Sequence, residues 1–217
     1  MAKETFFNLE DQKRKIIIES AIEEFSKHTF LEASVNRIVE KAGISKGSLY
    51  QYFEDKKDLY LFLIEHAGQL KLDYLKKQQI QISFENFNEG FESLLFAGSK
   101  FSMANPQLSQ LVRNATQGEL IDESLRKMQE MNRSFLVALV DDAKKQNQID
   151  ANHPTDLVVF LLNVISTQFY KYLFEQSKDT YSSDEIYEKE MDDERLRSHI
   201  HQLVQCLTFG ISPKERR

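Results

Sequence analysis

The chain has 217 residues, enough for one large domain or two small ones. Hydrophobic residues make up 41% and charged residues 29%, a balance that argues against an intrinsically disordered chain. The single cysteine excludes an intramolecular disulfide and a cysteine-rich zinc site, and we expect neither a metal nor a cofactor.

The net charge of -6 is unevenly distributed along the chain. Residues 174–195 contain nine acidic and three basic side chains, which is typical of a solvated linker with helix ends. Residues 34–57 contain five basic and three acidic side chains. Because affinity for phosphate depends on the local surface, the acidic average does not exclude a protein that binds nucleic acid.

We expect neither a signal peptide nor a membrane span in this sequence. Its N-terminus has no apolar core of the signal-peptide kind. The longest apolar stretch, residues 157–174, is interrupted by polar side chains and is shorter than the roughly 20 apolar residues of a membrane span. We therefore expect a cytoplasmic protein without a membrane partner.

Apolar residues recur at helical spacing, so we predict an all-α protein of about nine helices. In the first helix the apolar stripe runs from Ile17 to Phe25, and Asn8 with Asp11 is expected to cap its start. A second helix is predicted from about Val35 to Ala42.

The second and third helices are joined by a tight turn. Ser34 is expected to cap the start of the second helix, and Gly43 follows its end, where a positive φ costs glycine little. Ser45 is expected to cap the third helix. Two short helices joined in this way form the helix-turn-helix pattern, in which the second helix lies in the major groove of DNA.

A long fourth helix is predicted to begin at Asp55, with Asp58 as the partner of its cap. It covers about residues 56–79 and is expected to be shared by an N-terminal domain, residues 1–57, and a C-terminal domain, residues 58–217. Residues 79–84 alternate like a strand, but an isolated strand has nothing to pair with, so we interpret them as a helix end and a turn.

The pattern stays helical beyond residue 84. Asn105 and Pro106 are the expected N-cap and first residue of one helix. One long helix is predicted over residues 119–146, and another from Pro154 to about residue 176. The last begins at residue 183 or 184 and ends near Gly210.

The start of the third helix has a small outer face. Residues 45–48 carry two serines, one glycine and one lysine. The major groove is about 12 Å wide and admits a helix whose outward side chains are not bulky. Tyr50 and Tyr52 follow, and Lys56 lies at the start of the next helix, where a lysine and backbone N–H groups form a phosphate anchor.

The run Ala-Gly-Ile-Ser-Lys-Gly-Ser-Leu-Tyr, residues 42–50, together with Tyr52, Phe53 and Lys56, resembles the DNA-binding signature of the tetracycline-repressor (TetR) family of bacterial transcription regulators. The resemblance covers about a quarter of the chain. Thr29 and Val39 depart from the usual pattern, where glycine and alanine are common, but neither departure removes a DNA contact.

The resemblance implies which residues contact DNA. They are Ser34, Arg37, Ser45, Lys46, Gly47, Ser48, Tyr50, Tyr52 and Lys56. Packing inside the domain is the alternative role for Tyr50, Tyr52 and Gly47.

The second domain has no catalytic motif, so we do not expect an enzyme. The resemblance implies a cavity for an inducer among the middle helices, and the abundance of phenylalanine and methionine suits a hydrophobic small molecule. An ordinary helical core is the alternative explanation for most of these side chains. The expected ligand contacts are Phe91, Met103, Arg113, Asn114, Gln117, Met128, Met131, Phe135, Asn163 and Gln168.

The predicted helix over residues 156–176 is apolar almost all round, whereas a surface helix has one apolar stripe. The extra face must be covered either by the chain's own domain or by a second copy of the chain. We predict a second copy, in a two-fold symmetric homodimer that also uses the last helix. The expected interface residues are Phe160, Val164, Phe169, Leu196, Ile200, Leu203 and Leu207.

These features predict a ligand-responsive transcriptional regulator, with a repressor favoured over an activator. It would bind a near-palindromic double-stranded DNA operator as a dimer and be released by an inducer. The alternative is a helical ligand carrier or interaction module that does not read DNA. The acidity of the chain supports that alternative, and the intact run from Ser45 to Lys56 opposes it.

Overall fold

The computed structural model of the chain describes residues 2–77, 87–178 and 193–209. Over these residues it contains ten α-helices and no β-strand, which confirms the predicted all-α fold. In chain order the helices are α1 (Glu4–Phe7), α2 (Asp11–Lys27), α3 (Val35–Ala42), α4 (Lys46–Tyr52), α5 (Lys56–Lys77), α6 (Phe87–Ala104), α7 (Pro106–Ala115), α8 (Ile121–Lys145), α9 (Thr155–Lys178) and α10 (Asp193–Phe209).

The described residues form two compact units. The first unit comprises Met1–Leu72 and Asn105–Asn132, and the second comprises Asp73–Ala104 and Arg133–Arg217. α5 and α8 each begin in the first unit and end in the second. All the candidate DNA contacts, residues 34–56, therefore lie in the first unit.

The core of the first unit is built on α2 and the first half of α5. Ile17 and Phe25 from α2 are fully buried, as are Leu59 and Leu63 from α5. α7 packs along α2 and contributes the buried side chain of Leu111. These contacts leave α3 and α4 attached to one side of a closed apolar core.

The core of the second unit lies where α6, the second part of α8, α9 and α10 meet. α6 packs against both α9 and α10. The buried side chains of this core are Phe91, Leu94, Leu95, Leu136, Leu139, Val140, Val159, Leu162, Phe169, Leu173, Leu196, Ile200 and Val204.

The predicted cap of α5 is confirmed. The N–H of Asp58 donates to Oδ1 of Asp55 at 2.7 Å, and the N–H of Glu54 donates to Oδ2 of Asp58 at 3.1 Å. Asn105 and Pro106 occupy the predicted N-cap and first helical positions of α7, although the Asn105 side chain makes no cap hydrogen bond. Both helices thus start at the expected places, and α5 is capped by the side chain of Asp55.

The start of α2 differs from its prediction. Asn8 is the C-cap of α1, and its N–H donates to the carbonyl of Glu4 at 3.1 Å. α2 begins at Asp11 behind Glu10, whose side chain makes no cap hydrogen bond. The prediction missed α1 because four residues are too few to show a helical period.

The predicted turn over residues 79–84 and the predicted start of the last helix at residue 183 or 184 lie outside the described residues. Within residues 2–77, 87–178 and 193–209, no helix combines the length and the apolar content that crossing a membrane requires. Over the same residues, no three acidic, histidine or cysteine side chains are grouped to hold a metal ion.

Candidate nucleic-acid interface

The turn between α3 and α4 is closed by its own side chains. Oγ of Ser34 accepts from the N–H of Arg37 at 3.4 Å, and Oγ of Ser45 accepts from the N–H of Ser48 at 3.0 Å, so both serines are the predicted N-caps. Gly43 follows α3 with a φ of 65°, a left-handed conformation that favours glycine. These three residues fix the geometry in which α4 leaves α3.

Glu24 of α2 holds the start of α3. Its carboxylate, only 8% exposed, accepts from the N–H of Ser34 at 2.7 Å and from Nε of Arg37 at 2.9 Å. Burial by itself raises the pKa of Glu24, but the hydrogen bonds from Arg37 and Ser34 outweigh it and keep the pKa below the ordinary 4.5. Arg37 therefore has a structural partner, while its side chain stays 51% exposed.

α4 presents a small, polar outer surface. Ser45, Lys46 and Gly47 are exposed, whereas Leu49 on the opposite side is buried. A Cβ at Gly47 would meet only Oγ of Ser45, at 3.7 Å, so packing within the chain does not require glycine there. Lys46 makes no hydrogen bond or ion pair with any residue that the structure describes. The surface is thus open to the close approach of a groove and carries one uncompensated positive charge.

The three candidate contacts that follow differ in accessibility. The side chain of Tyr50 is 38% exposed, whereas Tyr52 is 7% exposed and its ring lies 6.0 Å from that of Phe6, between centroids. Lys56 donates from Nζ to two carbonyls of the loop before α3, at 3.3 and 3.1 Å, and lies 4.6 Å from the centroid of the Phe30 ring. Of the three, Tyr50 offers the most surface to a partner.

The predicted ligand contacts are divided between the two units. The first unit contains Arg113, Asn114, Gln117, Met128 and Met131, and the second contains Phe91, Met103, Phe135, Asn163 and Gln168.

Several of these side chains are committed to packing within their own unit. Nδ2 of Asn114 donates to the carbonyl of Phe25 at 3.0 Å and so joins α7 to α2. A Cβ at Gly68 would lie 2.7 Å from Cε of Met131, which shows how closely α5 and α8 pack in the first unit. Phe91 is buried in the core of the second unit. The sequence pattern could not separate these packing roles from ligand contacts.

Lys71 is a candidate ligand contact that the sequence analysis missed. Ile64 and Ala67 are buried on the inner side of α5, and Lys71 follows Ala67 by one helical turn. Lys71 is partly buried, and desolvation lowers the pKa of its ammonium group. It makes no hydrogen bond or ion pair with any described residue. The sequence could have indicated this role, because Lys71 occupies a position of α5 at which the helical period predicts an apolar side chain.

A cleft of about 630 Å³ opens between α6 and α10 in the second unit. The guanidinium of Arg197 stacks over the ring of Phe96, 3.8 Å from its centroid, and Nδ1 of His201 lies 2.9 Å from Oε1 of Glu92. None of the predicted ligand contacts lines this cleft.

The outer face of α9 carries an exposed apolar stripe. Phe160 is 55% exposed, Leu157 and Val164 lie three and four residues away on the same side of the helix, and Leu161 widens the exposed face beside it. The stripe consists of Leu157, Phe160, Leu161, Val164 and Tyr172.

Only part of the predicted dimer interface is available on the surface. Phe160, Val164 and Leu207 are exposed, and Leu203 is partly buried. The structure instead buries Phe169, Leu196 and Ile200 in the core of the second unit, because α9 and α10 turn these side chains toward their own chain. Apolar composition on all sides of α9 did not reveal which side faces inward.

Comparison with known proteins covers both the interface and the whole chain. A family model described as bacterial regulatory proteins, tetR family, matches residues 17–62, the span from α2 to the start of α5. The chain is similar to a solved TetR family transcriptional regulator from Chloroflexus aurantiacus J-10-FL, with 30% identity, 97% of this chain and 98% of that chain covered, and a TM-score of 0.71.

Two more distant relatives extend the comparison. The HTH-type transcriptional regulator YhgD of Bacillus subtilis (strain 168) is 23% identical over 157 residues, which cover 69% of this chain and 78% of YhgD. The regulator FadR from Bacillus subtilis, solved in complex with stearoyl-CoA, covers 91% of this chain and 99% of its own with 14% identity and a TM-score of 0.65. At that identity the likeness to FadR concerns the fold.

Proposed function

The chain belongs to the tetR family of bacterial regulatory proteins and is a transcriptional regulator, and from this premise we propose that it is a ligand-responsive repressor. A homodimer binds a near-palindromic operator, and a hydrophobic small molecule releases it. The single observation that carries the proposal is the pair α3 and α4, in which two serine caps and the left-handed Gly43 hold α4 with its small face exposed.

In this proposal α4 enters the major groove. Lys46, Gly47 and Ser48 approach base edges or nearby phosphates, and the exposed hydroxyl-bearing ring of Tyr50 contacts the backbone. Ser34 and the exposed part of Arg37 contact the backbone from α3. Lys56 and Tyr52 contribute mainly by fixing the packing of the unit, since their polar or aromatic groups already have partners.

The exposed stripe of α9 supports the proposed homodimer. Burying large apolar side chains against a second copy removes them from water, which is the main driving force of association. A two-fold axis through this face would repeat α4 in both copies. For helix-turn-helix dimers the two half-sites lie about 34–36 Å apart, one turn of DNA.

The inducer in this proposal has an apolar chain and an anionic group. FadR of Bacillus subtilis was solved with stearoyl-CoA, a molecule of that chemistry. In this chain the partly buried Lys71 has a positive charge that no described residue neutralises, and an anion beside it would remove that cost. Met128 of the first unit has a soft, polarisable side chain that can adapt to an acyl chain.

Release requires that the ligand prefer one of two dimer geometries. α5 belongs to both units, so a ligand that displaces it also moves the unit that carries α4. A ligand with equal affinity for the two geometries would shift nothing. Typical coupling between two such sites is about 1–3 kcal/mol.

The test is DNA binding by a charge-bearing variant of α4. We expect the chain to bind the fragment upstream of its own gene more tightly than an unrelated fragment of equal length. Gly47→Glu has room for its Cβ and places a carboxylate on the outer face, so its binding should fall at least about a hundredfold while the helical circular dichroism is unchanged.

Asn152→Glu, an exposed position in the second unit, adds the same charge elsewhere and should bind like the wild type. Equal binding by both variants would contradict the proposal. A chain that binds acyl compounds but prefers no DNA fragment would support the carrier function, which the net charge of -6 favours.

A further inference from the structure

The N-terminal segment completes the last turn of α4. The last carbonyls of any helix lack helical partners and need others. Here the carbonyl of Tyr52 accepts from the N–H of Lys3 at 2.8 Å, and the carbonyl of Tyr50 accepts from Nζ of Lys3 at 3.0 Å. The carbonyl of Gln51 accepts from Oγ1 of Thr5 at 2.6 Å. Lys3 and Thr5, from the N-terminal segment, therefore satisfy three consecutive carbonyls at the end of α4.

Phe6 anchors this segment to the core. Its side chain is fully buried, and its ring centroid lies 4.8 Å from that of Phe53 and 5.3 Å from that of Phe62. Phe53 directly follows α4, and Phe62 belongs to α5. One buried aromatic side chain therefore ties the segment to the end of α4 and to the long helix at once.

α4 needs such support because it is short. It has seven residues, and isolated helices of that length are unstable in water. Ser45 caps its start. Its C-cap residue, Phe53, is in an extended conformation, and the N–H of Phe53 donates only to the carbonyl of Leu49. Without protein partners, the carbonyls of Tyr50, Gln51 and Tyr52 would bond to water. The last turn of α4 would then be less ordered, and so would the side chain of Tyr50.

We propose that residues 3–7, which we call the N-terminal brace, position α4 for sequence-specific DNA binding. The proposal rests on the DNA-binding function proposed above. Lys3 and Thr5 are positioning residues that act through the backbone of α4. Base readout requires a fixed helix, whereas non-specific binding requires only charges near phosphates, so losing the brace should weaken specific binding more than non-specific binding.

The test removes one hydrogen bond without changing charge or shape. Thr5→Val deletes the donor to Gln51, and Thr5→Ser keeps it. In Thr5→Val we expect the amides of residues 50–53 to exchange hydrogen roughly three- to tenfold faster than in the wild type, while the core amides of α2 are unchanged. Thr5→Ser should match the wild type.

Lys3→Met removes the side-chain bond to Tyr50 and provides a second variant for the exchange measurement. Lys13→Met is its matched control, since Lys13 is an exposed lysine of α2 outside the brace. Exchange that rises equally in α2 and α4 would show a loss of global stability and would overturn the proposal. Unchanged exchange in α4 would overturn it as well.

The DNA measurement uses the upstream fragment and an unrelated fragment of equal length. For Thr5→Val the ratio of the two affinities should fall about three- to tenfold, and for Thr5→Ser it should not change. A loosened α4 with an unchanged ratio would overturn the role in recognition. If the wild type itself shows no preference, the proposed function fails, and the exchange data still decide whether the brace orders α4.

Discussion

The region from α2 to α4 and the outer face of α9 differ in whether their own unit supplies contacts for their polar and apolar groups. In the first region the ends of α3 and α4 meet partners from the same unit: Ser34, Gly43 and Ser45 at the turn, and Lys3 and Thr5 at the end of α4. On α9 a row of large apolar side chains stays exposed. The contrast is that partners within the same unit satisfy the first region, whereas the exposed face of α9 has apolar side chains that its own unit does not cover.

The two regions also differ in how they accommodate charged side chains. Glu24 brings a carboxylate into the first region, where Ser34 and Arg37 satisfy it. Between Leu157 and Val164 the stripe of α9 contains no charged side chain. The buried carboxylate of Glu24 is therefore stabilised by Ser34 and Arg37, whereas a new charge on the stripe of α9 would have no such partner.

The largest expected effect comes from placing a charge on the α9 stripe. Val164→Arg would bury an unpaired cation in the proposed dimer interface, at a cost of about 3–5 kcal/mol. Sedimentation equilibrium should then find monomers where the wild type forms dimers. Asn152→Arg adds the same charge at an exposed position and should leave the dimer intact. A wild type that is monomeric at micromolar concentration would break the comparison.

The next effect concerns the carboxylate inside the first region. Glu24→Gln removes a charge that holds Ser34 and Arg37, and because Arg37 is half exposed we expect a loss of about 1–2 kcal/mol at pH 7. Thermal unfolding measures the loss. The control is Glu19→Gln, since Glu19 is exposed on the same helix and forms an ion pair with Lys15. It should change the free energy of unfolding by less than about 0.5 kcal/mol.

The pH dependence sharpens this test. The pKa of Glu24 is lowered in the folded chain, so its stabilisation is complete above the ordinary value of 4.5 and is lost as the pH falls through the folded-state pKa. The difference in unfolding temperature between the wild type and Glu24→Gln should therefore shrink below pH 4.5. A difference that stays constant down to pH 3 would mean that the charge of Glu24 contributes nothing.

A smaller effect is expected at Lys46, which is exposed on α4. Lys46→Gln should weaken binding to every DNA fragment and reduce the slope of log affinity against log salt by about one unit, the value for one phosphate contact. Fluorescence anisotropy at several salt concentrations measures the slope. Lys145→Gln, an exposed lysine of the second unit, is the control and should keep the wild-type slope. A changed preference among fragments would assign Lys46 to base readout.

The smallest effects are expected at the two helix caps. Ser45→Ala should cost about 1 kcal/mol, because Oγ of Ser45 is the partner of the Ser48 N–H at 3.0 Å. Ser34→Ala should cost less, because its hydrogen bond to the Arg37 N–H is longer, at 3.4 Å. Urea unfolding gives both values. The reverse order would show that bond length does not rank the two caps.

The sequence predicted what depends on neighbouring residues. Ser34, Gly43 and Ser45 act within three residues of their own positions, so their roles were visible before the fold was known. The brace was not visible, because Thr5 meets Gln51 only after folding. Nothing local distinguishes that contact from an exposed tail.

The α9 and ligand predictions show the same limit. The sequence indicated that α9 is apolar on more than one side, but not that Phe169 faces inward and Phe160 outward. It proposed Asn114 as a ligand contact, whereas the structure uses that side chain to join α7 to α2. The phase of a uniformly apolar helix and the partner of a polar side chain are both set by tertiary contacts.

The contact between Lys3 and the end of α4 has a practical consequence for producing the protein. An affinity tag fused ahead of residue 1 would emerge three residues from the backbone amide that bonds Tyr52. Bulky or charged additions there would crowd the end of the helix proposed to read DNA. Preparations whose fusion partner is removed by a protease, leaving few foreign residues, should therefore bind DNA more selectively than uncleaved ones.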